Sequence, residues 1–115
     1  IFHKIANSNL NKFNIGAFLM TFILAEKNDT IIFYIHGSIT LNHCIKIREQ
    51  ILLHLDQGHR NYIFDLAQAD YIDSSSLGIF VALHKIITQN DGSLTLINLS
   101  PSLNEILNSG QLETT

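Results

Sequence analysis

Three short apolar segments, each separated from the next by a stretch long enough for a helix, constrain the fold of this chain most. Residues 31–35, 62–66 and 94–98 are rich in β-prone side chains, and the stretches between them carry apolar residues at helical spacing. Strands that are joined through helices need crossover connections, and crossovers make neighbouring strands parallel. A further apolar run at residues 20–25 adds one strand before the first. The pattern predicts an α/β domain in the order β-β-α-β-α-β-α, with a mostly parallel four-stranded sheet and an antiparallel N-terminal hairpin.

The predicted helices have recognisable ends. Thr40 can cap the first helix, and Gly58 is suited to end it. The second helix is predicted over about residues 75–90, and the third from Pro101 to Gly110. The apolar positions at helical spacing in the first helix are Leu41, Cys44, Ile45, Leu52 and Leu55.

Composition limits the classes of function. The chain has 115 residues, of which 46% are apolar and 15% charged, so it can form one domain with its own core. The net charge is −3 and the basic residues are scattered, which argues against nucleic acid as a partner. With one cysteine there is no internal disulfide, and the six histidines lack the spacing of metal ligands. We therefore expect neither a metal nor a cofactor.

The N-terminal region has two interpretations. The apolar run over residues 15–25 could belong to a signal peptide, but it lacks the small residues of a cleavage site and is too short to cross a bilayer. A buried strand fits better, so we expect no membrane insertion and a cytoplasmic location. Met20 could start the domain. We therefore predict a domain over residues 20–115, preceded by a leader, a linker or a segment added for expression over residues 1–19.

One polar segment lies where α/β domains usually carry their function, beyond the carboxyl end of a strand. It reads Asp73-Ser74-Ser75-Ser76-Leu77-Gly78 and runs into the second predicted helix. Asp and Ser are preferred N-caps, so capping explains part of the segment. The alternative is a modification site, because a helix N-terminus stabilises a phosphate. A hydrolase is disfavoured, since the glycine before the serine and a later Asp and His in order are missing.

The residues around this segment resemble a known family. Residues 61–78, which read NYIFDLAQADYIDSSSLG, are similar to the signature of the STAS domains and above all of the bacterial anti-sigma-factor antagonists. Residues 37–40 lie where that family has a Gly-Glu-Leu-Asp turn, and residues 92–110 resemble its later elements. The resemblance extends over about residues 20–113.

The resemblance implies a non-enzymatic partner switch. By position, Ser74 is the phosphoacceptor and Ser75 the second choice. The implied partners are a serine kinase of the histidine-kinase-like ATPase fold, which is also the anti-sigma factor, and a metal-dependent serine phosphatase. The unphosphorylated protein would bind the kinase, and the phosphorylated protein would release it. The expected partner-binding residues are Gly37, Ser38, Thr40, Asp73, Ser75, Ser76, Leu77, Gly78 and Val81.

Three departures from the family pattern leave an alternative open. Ser76 replaces a usual glycine, Ser38 and Thr40 replace acidic residues, and Gln111 interrupts the usual Gly-Leu pair between Gly110 and Leu112. These changes suit a STAS scaffold that is never phosphorylated, such as a subunit of a membrane lipid or anion transport system. Leu77 and Val81 have two interpretations of their own, a partner patch or burial against a neighbouring element.

Overall fold

The computed structural model describes residues 22–109 and contains one four-stranded sheet with three helices. The sheet order is β1-β2-β3-β4, with β1 and β2 antiparallel and the other two pairs parallel. The predicted α/β class, element order and hairpin are confirmed. The predicted segment over residues 1–19 and the boundary at Met20 lie outside the described residues. The elements are β1 (Phe22–Lys27), β2 (Thr30–Ile39), α1 (Leu41–Asp56), β3 (Asn61–Ile72), α2 (Ser74–Gln89), β4 (Ser93–Ile97) and α3 (Pro101–Ser109).

The core is built on one face of the sheet, which we call the inner face. Phe22, Phe33 and Phe64 follow one another on this face at ring distances of 5.4 Å, and Phe80 of α2 lies 5.0 Å from Phe64. Contacts of this kind contribute about 0.5–1.5 kcal/mol each beyond the area they bury. The row of aromatic rings therefore fixes α2 on the inner face.

Both central strands are longer than the sequence pattern predicts. β2 continues through Gly37 to Ile39, and β3 continues past Leu66 to Ile72, so the predicted strand end at Gly37 and the predicted loop after Leu66 are wrong. Gly37 has a φ of +77° and lies at a register shift between the two strands. This irregularity, typical of a bulge, lets the pairing resume as far as Ile39 opposite Ile72. The extension brings the end of β2 beside the start of α2.

The buried face of α1 also differs from the prediction. Leu41, Ile45 and Leu52 are 45%, 44% and 38% exposed. The side chains that face the core are Cys44, Ile47, Ile51 and Leu55. Cys44 is fully buried, as expected for a small apolar residue.

Candidate functional site

The site is the corner where β3 turns into α2. Asp73 is the N-cap of α2, and its Oδ1 accepts a hydrogen bond of 2.8 Å from the Ser76 amide. This bond lowers the pKa of Asp73 below its ordinary value, so the corner carries a carboxylate at neutral pH. The cap predicted for this segment is therefore present, and it uses the aspartate.

A second set of bonds ties this corner to the end of β2. The Ile39 carbonyl oxygen accepts from the Ser76 hydroxyl at 3.2 Å and from the Asp73 amide at 3.4 Å. The strand register supports the same contact, because Ile39 lies opposite Ile72 and Ser38 opposite Tyr71. The two sequence segments that carry the predicted site are thus joined. We call Ser38, Thr40, Asp73, Ser74 and Ser75 the serine corner.

Most of the predicted site residues reach the surface. Ser74, Ser75, Ser38 and Gly78 are exposed. A Cβ added at Gly78 would have no neighbour within 4 Å, so the first turns of α2 leave an open surface beside Ser74. The half-buried members of the predicted set are Gly37, Thr40, Asp73, Leu77 and Val81.

Ser76 requires a correction. Its side chain has no exposed surface, so it cannot contribute to a partner-binding surface as predicted. Its hydroxyl instead bonds Ile39 within the fold and also reaches the Cys44 thiol, whose pKa is raised by burial and lowered in part by this hydrogen bond. The serine that replaces the usual glycine of the family therefore holds the corner together from inside.

Leu77 and Val81 are half-buried and pack against the core. Burial against neighbouring elements therefore accounts for part of each side chain. The remaining exposed part lies on the two turns of α2 that follow Ser74, and it is the part that could touch a partner.

Two neighbours of the site were missed from the sequence. Tyr71 is 53% exposed and lies opposite Ser38, which places an aromatic side chain at the edge of the serine corner. His43 takes part in the start of α1, since its Nδ1 accepts from the Thr40 amide at 3.3 Å. A large aromatic residue between Leu66 and Asp73 was the available signal for Tyr71. Thr40 followed by His43 is not a usual capping pair.

Other kinds of site find little support in the described part of the chain. Within residues 22–109, no three His, Cys, Asp or Glu side chains are placed to share a metal ion. No helix in the same range is both long and apolar enough to cross a membrane. A cleft of about 230 Å³ includes no residue of the serine corner and is lined by Tyr34, Ile35, His36, Asp65, Ala67 and Gln68.

The sequence comparison decides the family. The sequence model of the STAS domain matches residues 21–115. The chain belongs to the STAS domain family. It is also 26% identical over 72 residues to BtrV of Bordetella bronchiseptica, a candidate anti-sigma factor antagonist. That match covers 63% of this chain and 62% of BtrV, so it spans less than two thirds of the relative's length.

Solved structures agree on the fold of this STAS domain. The Bacillus anti-sigma factor antagonist SpoIIAA in its unphosphorylated form superimposes with a TM-score of 0.69 at 21% identity, over 82% of this chain and 86% of that one. A candidate anti-sigma factor antagonist from Thermotoga maritima gives a TM-score of 0.72 at 18% identity, over 81% and 84% of the two chains. The chain therefore has the STAS fold that is found in anti-sigma factor antagonists.

Proposed function

We propose that this STAS domain is a partner-switching regulator whose switch is phosphorylation of Ser74. One observation carries the proposal: Ser74 is the exposed first residue of α2, while Asp73 directly before it and Ser76 two positions after it are bonded into the fold. A group attached to Ser74 therefore changes the surface without removing a contact that holds the corner. The site can be modified while the domain stays folded.

The electrostatics of the corner give the modification its effect. A phosphate adds about −1.5 to −2 charges at neutral pH and accepts hydrogen bonds strongly. At the first residue of a helix it meets amides that have no acceptor within the helix, and the helix dipole favours its charge. A partner that packs on the same surface would have to remove the water that surrounds the phosphate. The partner would also face the negative carboxylate of Asp73 beside it. Phosphorylation therefore weakens the binding of the partner more than it lowers the stability of the fold.

Ser75 is the second choice for the phosphoacceptor. It is exposed like Ser74 and one residue further into the helix. The resemblance to the family favours Ser74, because the acceptor there follows the aspartate directly. Ser75 serves as the matched control in every test of the proposal.

The proposed partners are a serine kinase of the histidine-kinase-like ATPase fold, which doubles as the anti-sigma factor, and a metal-dependent serine phosphatase. The surface that would receive the kinase consists of the serine corner and the open side of α2. On α2 it includes Gly78 and the exposed parts of Leu77 and Val81. We assign the chain no catalytic role of its own.

The test is phosphorylation of the purified protein with ATP by each such kinase encoded in the source genome, followed by mass spectrometry. Trypsin cleaves after Arg60 and Lys85, so one peptide contains both Ser74 and Ser75, and fragmentation of that peptide assigns the phosphate to one of them. We expect Ser74→Ala to abolish the phosphate and Ser75→Ala to retain it. Phosphate that persists in Ser74→Ala would assign the acceptor elsewhere. No transfer by any of these kinases would favour the unphosphorylated scaffold of a membrane transport system.

A further inference from the structure

A cleft near the middle of the β2–β3 pair has no role in the proposed switch. It has a volume of about 230 Å³ and is lined by Tyr34, Ile35, His36, Asp65, Ala67 and Gln68, so no residue of α3 is among its walls. The two strands shift register here, because Tyr34 pairs with Asp65 and His36 pairs with Gln68, which leaves two residues of β3 opposite Ile35 alone. An extra residue of this kind is a β-bulge, which bends its strand, redirects side chains and is common next to active sites.

Asp65 supplies the negative charge of this cleft. Its Oδ1 accepts a hydrogen bond from the Ala67 amide at 3.1 Å and another from the Asn98 side-chain amide at 3.1 Å. Both donors are neutral, and both bonds use the same oxygen. Among residues 22–109, no lysine, arginine or histidine nitrogen lies within 4 Å of this carboxylate. The half-buried carboxylate therefore keeps Oδ2 as an acceptor for a ligand.

The strands around the cleft are acidic. β2 and β3 contain no lysine or arginine, whereas β3 carries Asp65 and Asp70, and Asp73 follows its last residue. The charge of Asp65 is felt within the cleft, because burial and then the Asp65 carboxylate raise the pKa of Tyr34. These surroundings favour a positively charged ligand over an anion.

The size of the cleft and its aromatic residue narrow the choice of cation. Pockets for whole small-molecule ligands have volumes of about 300–1,000 Å³, so this smaller cleft suits a single functional group with a short stem. A guanidinium group is planar, presents five donors in a fork that fits a carboxylate, and stacks on aromatic rings, whereas an ammonium group is a compact, strongly hydrated charge. Tyr34 and Asp65 are partners in the strand register, so one guanidinium group can contact both.

We propose that the cleft binds a guanidinium group, with Asp65 accepting its hydrogen bonds and the Tyr34 ring packing against its plane. The group would come from an arginine side chain of a protein partner or from a small free guanidine compound. Gln68 of the cleft and Ser74 are separated by at most about 20 Å of extended chain. A standard interface covers about 800 Å² of each partner, a patch roughly 30 Å across, so one partner can cover both the cleft and the serine corner.

The first test is an NMR titration of the isotope-labelled full chain with ethylguanidinium chloride, at concentrations where circular dichroism shows the protein folded. We expect saturable shifts of the backbone amides that line the cleft, those of Ile35, His36, Ala67 and Gln68. Ethylurea is similar in shape and neutral, so it should cause far smaller shifts. Ethylammonium should bind more weakly, because it lacks the planar fork of donors.

One variant tests the role of the charge. Asp65→Asn keeps an oxygen that can accept from Ala67 and Asn98, and it removes the negative charge. It should weaken the binding of ethylguanidinium at least about tenfold, since a hydrogen bond to a charged group is lost. Asp70→Asn is the matched control, because Asp70 is an exposed aspartate of the same strand outside the cleft. Its replacement should change the affinity less than about twofold, since solvent and salt screen exposed charges.

Three results would overturn the proposal. The first is the absence of a saturable shift at the cleft, and the second is equally tight binding of ethylurea or ethylammonium. Both are measured on the unaltered protein, so they decide the question even if a variant does not fold. The third is unchanged affinity in a folded Asp65→Asn variant.

A second measurement identifies the source of the guanidinium group, and this measurement alone rests on the proposed function. The kinase that phosphorylates the purified protein is titrated by calorimetry against the unaltered protein and against Asp65→Asn. Binding weakened at least about tenfold would assign the group to an arginine of the kinase, whereas unchanged binding would assign it to a free compound. The NMR titration needs no kinase, so a failure of the phosphorylation switch leaves its result standing.

Discussion

The replacement Ser76→Ala tests how the serine corner is held together. The Ser76 hydroxyl is fully buried and donates at 3.2 Å to the Ile39 carbonyl, which links the start of α2 to the end of β2. A buried hydrogen bond of this kind contributes a net of about 0.5–1.5 kcal/mol. Ile39 keeps the Asp73 amide at 3.4 Å as a second donor, so its oxygen is not left unpaired. We therefore expect a loss near the middle of that range, about 1 kcal/mol.

The assay is urea unfolding followed by circular dichroism, with Ser75→Ala as the control. Ser75 neighbours Ser76 in the same helix turn but is exposed, so its replacement should change the free energy of unfolding by less than about 0.5 kcal/mol. The midpoint should fall for Ser76→Ala with an unchanged slope. Because Cys44 is the single cysteine and is buried beside Ser76, its rate of reaction with a thiol reagent should also rise. Equal stability and equal thiol reactivity in the two variants would refute the role of the Ser76 hydroxyl in joining α2 to β2.

Four further outcomes are expected. Gly92→Ala should destabilise the fold by about 1–3 kcal/mol, because the new Cβ would collide with the Arg60 carbonyl oxygen, as a melting curve will show. Gly78→Ala should stabilise α2 by about 0.5–1 kcal/mol in the same assay, since its Cβ meets open space, and should weaken kinase binding. Burial raises the pKa of Tyr62 to about 12, so the stability that its protonated form contributes is complete below its ordinary pKa near 10. It is lost as the pH rises from there towards 12, and the loss should be absent in Tyr62→Phe. Ser74→Asp should weaken kinase binding while changing the free energy of unfolding by less than about 1 kcal/mol, because helix-start charges have modest effects; equal binding would contradict the switch.

The order of elements could be predicted because it depends on local pattern. Apolar runs and helical spacing indicated all the strands and helices in the described range, and Thr40 begins α1 as expected. The lengths of β2 and β3 could not be predicted. Residues 67–70 are weak strand formers. They are extended because β2 lies beside them, which is a contact between segments about 30 residues apart.

The buried side of α1 shows a second limit. Its apolar residues form two overlapping stripes, one through Ile47 and Ile51 and one through Ile45 and Leu52. Either stripe satisfies helical spacing, and the position of the helix on the sheet decides between them.

The candidate site was predictable at its surface but not in its interior. A polar segment at a helix start draws attention to Ser74 and Ser75, and the resemblance to the STAS family supplies their expected role as phosphoacceptors. The burial of Ser76 depends on Ile39, which is 37 positions earlier in the chain. A contact between residues so far apart cannot be predicted from the sequence around Ser76.

The most direct test of the switch is a comparison of two affinities. The kinase that phosphorylates the purified protein would be titrated, without ATP, against the unmodified protein and against protein phosphorylated on Ser74, by calorimetry. We predict that phosphorylation weakens binding at least about tenfold, which corresponds to about 1.4 kcal/mol. Equal affinity for the two forms would contradict the account.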